Sequence, residues 1–403
     1  MKISCNSMIQ KNRPYLFPIF LILYEFCTNM SNDMYLPALS LIAKEFQIGI
    51  SQVQLTITAW LAGSMAVQLI VGPLTDRYGR RPILLGGGLL FLLSALGCSF
   101  APSIAWLLVA RFVQGIGVCT MMVAGYASIH DLYDDREAIH ILIWMGTAAV
   151  VAPAIGPVLG GLLLLLTNWQ GIFLSLFILG MISLLGLWFF MPESSSPPHR
   201  LPLDLKTILT AYRKILTNHS FILSAMSFAL AYGGIIGWIT ASPFILMENL
   251  DLSPTQFGFL QFPVFGGYIV GAQFVKRLME KIGKEKLITL GLTIAGVSGI
   301  LLLVFAFVIP NDAFSFVFPM MLYALGFGFA AAPLNRITLT ATNEQKGAAM
   351  AIFYLLMAIS GTFISLFLSL MSETIFSSCL LIAAAVILSF VLNRVRKNRA
   401  GIL

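Results

Sequence analysis

Three ionisable side chains interrupt apolar runs long enough to cross a membrane: Glu25 and Asp33 in the first run, Arg111 in the fourth. A charge at the centre of a bilayer costs about 2.5–3.5 kcal/mol on insertion scales, so a residue of this kind there is read first as functional. On a helix rising ~1.5 Å and turning ~100° per residue, Glu25 and Asp33 lie ~12 Å apart along the axis and ~80° apart around it. Both can face one central cavity, at different depths. Burial favours the neutral form of an acid, whereas a nearby guanidinium favours the charged form. An acid under both influences can exchange a proton as its surroundings change. Blander readings stand beside these. Asp33 lies near the outer end of its run, just before Pro37, and could be solvated there. Arg111 could be a structural lock between helices; as a functional group it would pair with Asp33 or with carbonyls of the first helix.

Other chemistries find little support. The cysteines, Cys5, Cys27, Cys98, Cys119 and Cys379, are odd in number and lack paired spacing. The histidines, His130, His140, His199 and His219, lie in polar connections without metal-ligand spacing. Neither a disulfide framework nor a metal site follows. With no nucleophile–base spacing and no soluble catalytic stretch, the expectation is a protein that is not an enzyme and uses no cofactor.

The elements that must hold these charges are written in the composition. Of 403 residues, 58% are hydrophobic and only 10% charged, against about 25% charged in ordinary soluble domains. So few charges cannot cover a water-facing surface, so lipid must be the solvent. A hydrocarbon core of ~30 Å needs ~20 mainly apolar residues per helix. Twelve runs qualify: 15–38, 52–73, 82–100, 104–127, 140–166, 170–191, 220–247, 255–275, 286–309, 313–335, 347–371 and 374–394. Their length excludes a β-barrel, whose strands alternate over ~10 residues. The first run is also too long for a cleavable signal peptide and carries two acids.

The net charge of +7 invites a nucleic-acid reading, but such binders gather Lys and Arg on one face. Here the bases fall in short connections between runs, as membrane topology requires. With the N-terminus in the cytoplasm, all but two of the 24 basic residues lie on the cytoplasmic side, the exceptions being Lys44 and the intramembrane Arg111. An even number of spans with both termini inside is self-consistent. The expected location is the bacterial inner membrane.

One long connection, 192–219, carries Pro197 and Pro198 with six runs on either side. It reads as a cytoplasmic linker between a six-helix bundle at 1–191 and another at 220–403. An internal repeat supports that division. Gly72-Pro-Leu-Thr-Asp76-Arg77-Tyr-Gly79-Arg80-Arg81 is echoed by Arg277-Leu-Met-Glu-Lys281-Ile-Gly283-Lys284, half a chain later. Parallel repeats of this kind are a known transporter plan.

The segment Gly72–Arg81 resembles the cytoplasmic signature of the major facilitator superfamily. Its physical content is a tight turn at Gly79, bases at the lipid–water interface, and Asp76 placed to pair with a neighbouring helix. Arg111-Phe-Val-Gln-Gly-Ile-Gly resembles the motif of proton-coupled members. Pro153-Ala-Ile-Gly156-Pro157-Val-Leu-Gly160-Gly resembles the motif of antiporters, whose small residues permit close helix approach and whose prolines kink the span. Leu23–Phe26 with Asn32-Asp33-Met34 is similar to the drug:proton antiporters of the multidrug facilitator A type. That likeness extends through Tyr126-Ala127, Ser242-Pro243, Leu260-Gln261, Pro263, Phe265-Gly266 and Arg336. One departure stands out: Asn29 occupies the place of the family's aromatic between the two acids.

Around the charges, the cavity candidates are Tyr24, Asn32, Tyr126, Met145, Trp238, Gln261, Phe265 and Tyr268. Aromatic walls with few polar groups suit lipophilic or cationic ligands, although such residues in membrane helices are more often packing. The resemblance alone implies Asn32, Met145, Ile236 and Phe265 as pocket-lining. The expectation is an all-α membrane protein of the major facilitator fold that exports small compounds against protons, through Glu25, Asp33 and Arg111. Expected partners are protons, a small-molecule substrate and the bilayer, with no nucleic acid, in a monomer. Export of one endogenous metabolite such as a siderophore, and proton/nutrient symport, are the alternatives.

Overall fold

A computed structural model of the chain describes residues 15–194, 205–342, 344, 346–371 and 374–399. The proline-bearing part of the expected linker, 195–204, lies outside these residues, as do Lys2, Lys11, Arg13 and Arg200. The helices of the first half are α1 Leu16–Asp33, α2 Leu39–Phe46, α3 Ile50–Tyr78, α4 Arg80–Ser99, α5 Ile104–Thr120, α6 Tyr126–Leu132, α7 Asp135–Leu163 and α8 Trp169–Phe190. Those of the second are α9 Leu205–Leu216, α10 His219–Pro243, α11 Pro254–Ile282, α12 Lys284–Val308, α13 Phe314–Thr340, α14 Lys346–Met371 and α15 Ile375–Arg399. A π-helical turn at Met121–Gly125 fuses α5 and α6 into one span, and another at Phe244–Asn249 extends α10.

Among the described residues, eleven helices are long and apolar enough to cross a bilayer. The twelfth expected span is α1. Its 18 residues give a helix about 27 Å long, but Glu25, Asn29, Asn32 and Asp33 lower its hydropathy. Outward faces elsewhere are apolar: Phe307 is 80% and Val109 65% exposed. Soluble monomers rarely expose broad apolar surface, whereas in a membrane these side chains meet lipid.

Several bounds move from the expected ones for local reasons. α3 runs on through Pro73 to Tyr78, because a membrane helix tolerates proline and nothing stops it before Gly79. In the connection 192–219, Leu205–Leu216 is helical. Its apolar side chains recur at helical spacing opposite Lys206, Arg213 and Lys214. Ile215 is buried, and Lys214 meets Glu344 at 3.1 Å.

The chain divides into two compact units. The first comprises Met1–Tyr35, Ala59–Gly156 and Leu163–Leu203; the second comprises Leu36–Thr58, Pro157–Leu162 and Asp204–Leu403. Within the first, α4 packs on α5 and α8, and α1 packs on α8. Within the second, α12 packs on α13 and α15, and α10 packs on α15. Counted by span, these are the same pairs: third with fourth and sixth, first with sixth.

The backbone carries the repeat more sharply than the side chains do. Among the described residues, four have positive φ: Gln47 and Asp251, then Gly79 and Gly283. Each pair is separated by 204 residues. Gln47 and Asp251 reverse the chain before α3 and α11; Gly79 and Gly283 link those helices to α4 and α12. At the same offset, Glu25 and Asp33 correspond to Ala229 and Gly237. The turns are duplicated and the acids are not.

Candidate functional site

Both acids of α1 are buried in the first unit, at different depths. Glu25 is 4% exposed. Its Oε1 accepts a 2.6 Å hydrogen bond from the Tyr126 hydroxyl, while its Oε2 has no partner among the described residues. Tyr126 directly follows the π-helical turn Met121–Gly125. Such turns re-aim side chains and recur at functional sites. Asn29 donates from Nδ2 to the Glu25 carbonyl at 2.9 Å, so its amide is turned back onto its own helix.

Asp33 ends α1 and is buried, not solvated, at 3% exposure. It makes no direct ion pair with Arg111. An amide stands between them: Asn32 Nδ2 donates to Asp33 Oδ1 at 3.3 Å, and Asn32 Oδ1 accepts from Arg111 Nη2 at 3.4 Å. Arg111 is completely enclosed. Its Nη1 donates to the Ser31 carbonyl at 2.8 Å and to Gln114 Oε1. The guanidinium also lies 4.3 Å from the centroid of the Tyr35 ring, with the Trp60 and Phe173 rings each at 5.9 Å. A buried charge must be paired or hydrogen-bonded. Here carbonyl, amides and aromatic faces do most of that work, and the carboxylate is reached through a relay.

Gly156 fixes how closely α7 approaches this relay. A Cβ there would lie 3.0 Å from the Asp33 Cβ and 3.3 Å from the Met34 nitrogen. The Pro153–Gly161 string therefore presents a glycine to the end of α1. Pro157 and Gly160 are buried, and Pro153 is half-buried.

At the basic end of the same unit, Gly79 has φ +103° and ψ 156°, a conformation suited to glycine. The next residue's N–H donates to Glu193 Oε1 at 2.9 Å. Asp76, near the end of α3, pairs at 2.6 Å with Arg80, the first residue of α4. Arg80 also reaches α6, its Nε lying 3.2 Å from Asp131. Arg81 donates to the Trp188 carbonyl at 2.6 Å, and Arg77 lies over the Tyr78 ring. Gly72 is half-buried within α3.

The pocket candidates divide between the units. Tyr24, Asn32, Tyr126 and Met145 belong to the first; Ile236, Trp238, Gln261, Phe265 and Tyr268 belong to the second. Tyr24 is fully buried, its ring edge-on to Phe91 of α4 at 5.9 Å. Met145, Ile236 and Phe265 are buried, and Tyr268 lies 5.7 Å from the Phe327 ring. In the second unit, Trp238 Nε1 donates to Gln261 Oε1 at 2.9 Å, and the Gln261 amide NH₂ has no partner among the described residues. No group of three or more His, Cys, Asp or Glu able to hold a metal occurs among the described residues.

Sequence reasoning missed Gln114, Tyr35, Glu193 and Asp131. Gln114 was within reach, since it stands three residues after Arg111 and so shares its helix face. The others join through contacts far apart in the chain.

The family model for the Major Facilitator Superfamily matches residues 21–365. The chain belongs to the major facilitator superfamily. It is thus a multi-pass membrane transporter of small molecules. Among superfamily members, it is 35% identical over 342 residues to the multidrug transporter MdfA of Yersinia pestis bv. Antiqua (strain Angola), covering 84% of this chain and 83% of that one. The multidrug transporter MdfA of Escherichia coli O6:H1 is 35% identical over 87% of this chain and 86% of its own. The multidrug resistance protein MdtM of Escherichia coli O157:H7 is 31% identical over 96% of this chain and 95% of its own. In fold, the chain matches a crystal structure of a D-xylose-proton symporter with TM-score 0.76 at 15% identity, covering 94% of this chain and 95% of that one. The superfamily fold is therefore common to symporters and to these multidrug transporters, and it does not set the direction of transport.

Proposed function

We propose that this chain is a proton-coupled antiporter that exports small lipophilic, cationic or neutral compounds from the cytoplasm. The observation that carries this reading is the buried Glu25, held by Tyr126 through one carboxylate oxygen and unpartnered at the other. The likeness to transporters named for multidrug export supports the same reading. It works by alternating access between two six-helix bundles, 1–191 and 220–403, joined by the linker 192–219. Both termini lie in the cytoplasm, the protein sits in the bacterial inner membrane, and it acts as a monomer.

In the inward-open state, substrate binding near α1 displaces a proton from Glu25 or Asp33 to the cytoplasm. In the outward-open state, a proton from outside returns to the carboxylate and releases the substrate. One proton moved inward through 100 mV supplies about 2.3 kcal/mol, and a pH gradient adds to it. Asn32 couples Asp33 to Arg111, so a change of charge on Asp33 is felt where Arg111 grips the Ser31 carbonyl. Tyr24, Asn32, Tyr126, Met145, Ile236, Trp238, Gln261, Phe265 and Tyr268 are proposed to contact substrate. The Gly72–Arg81 and Pro153–Gly160 segments are proposed to govern gating. Substrate flux in proteoliposomes under an imposed pH gradient tests the direction. Export against protons is expected, and uptake with protons would replace this reading by symport.

A second reading, export of one endogenous product, draws on Asn29. Its amide is bonded to the Glu25 carbonyl, so this turn of α1 offers no aromatic wall to a broad range of drugs. Resistance of a pump-deficient host to many unrelated compounds favours the drug reading. Accumulation of one native compound on deletion, without such resistance, favours the other.

A further inference from the structure

We infer that the second unit carries a binding site for the phosphate headgroup of an anionic phospholipid, between the start of α12 and the end of α15. A cleft of about 210 Å³ opens there, lined by Thr289, Phe390, Asn393, Arg394 and Lys397. Its polar lining consists of bases and neutral hydrogen-bonding groups, with no carboxylate. Lys397 Nζ lies 3.3 Å from Thr289 Oγ1. Asn393 uses its Oδ1 to accept from Arg396 at 3.2 and 2.9 Å, and its NH₂ takes no part in those bonds.

Glu285, one turn before Thr289 on α12, is already neutralised. Arg396 holds both oxygens of Glu285, Nη1 to Oε1 at 3.1 Å and Nη2 to Oε2 at 2.6 Å, with Arg396 only 4% exposed. Neither Arg394 nor Lys397 forms an ion pair among the described residues. The cleft therefore keeps two uncompensated positive charges, the arrangement that recognises a phosphate. It is smaller than the ~300–1,000 Å³ of a typical pocket for a drug-sized ligand, but it can admit a headgroup.

The surroundings choose the lipid over a free anion. Towards the interior of the membrane, the helices that line the cleft expose Leu290 of α12 and Ile387 and Val391 of α15, each at least 40% exposed. An acyl chain lying along these side chains would hold the phosphate beside Arg394 and Lys397. Bases at this depth attract anionic lipid. Bivalent attachment of this kind is not open to soluble phosphate.

The test uses the full-length protein, delipidated in detergent, with bound lipid counted by native mass spectrometry. The probes are phosphatidylglycerol, phosphatidylcholine and millimolar inorganic phosphate. Phosphatidylglycerol should be retained at least about tenfold better than phosphatidylcholine, and the Arg394→Gln/Lys397→Gln double variant should lose about 30-fold in retention. Inorganic phosphate should leave the lipid bound. Should the double variant not fold, Lys397→Arg and Lys397→Gln give the same reading, the first retaining lipid and the second losing it. Equal retention of the two lipids, unchanged retention in the variants, or full displacement by inorganic phosphate would each overturn the proposal.

Discussion

Replacing Tyr126 with Phe keeps the ring and deletes the hydroxyl that donates to Glu25 at 2.6 Å. A hydrogen bond to a charged group contributes about 1.5–3 kcal/mol. The other carboxylate oxygen has no partner among the described residues, so no second donor stands ready to compensate. Without the hydroxyl, the ionised carboxylate becomes harder to form by roughly 10- to 150-fold. If a substrate cation binds only where Glu25 has given up its proton, its affinity must fall by that factor. The assay is equilibrium binding of a lipophilic phosphonium cation to purified protein, with the proton released on binding read in weakly buffered solution. Thermal unfolding serves as the control for integrity. A Kd within twofold of the parent, with normal proton release, would refute the claim that this hydrogen bond belongs to the coupling step.

Arg111→Lys keeps the charge but loses the planar fork that spans the Ser31 carbonyl and Asn32, and also the face on Tyr35. A loss of about 2–5 kcal/mol is expected from one charged hydrogen bond and one desolvated cation–π contact. It should be visible as a lowered unfolding temperature together with reduced flux; an unchanged unfolding temperature would contradict it. Gly79→Ala should cost about 1–3 kcal/mol in backbone strain and further displace Glu193, which fills the space where a Cβ would go. Gly283→Ala meets comparable strain at φ +79° but open space, so the first variant should unfold at the lower temperature of the two.

Eleven spans were legible because apolar length is a strong signal; α1 is a helix, but its acids and amides keep it below that signal. Gly79 was legible as a turn because the sequence around it stops a helix that nothing else stops. The matching turn at Gln47 and Asp251 was not, since glutamine does not announce a left-handed backbone and a lone aspartate does so only weakly. Glu25 and Tyr126 each stood out as candidates, but their bond joins residues 101 positions apart, and helical spacing cannot supply such a pairing. The same limit explains the relay. Asn32 and Asp33 are adjacent, and their link to Arg111 depends on how α5 crosses α1.

Uphill transport by the double variant Glu25→Gln/Asp33→Asn, in everted vesicles energised by a pH gradient, bears most directly on the central claim. Neither side chain then carries an exchangeable carboxyl proton, so no accumulation above the level of de-energised vesicles is expected. Accumulation at the parent's rate, with the parent's dependence on pH, would contradict the proposal that the acids of the first helix exchange protons for cargo.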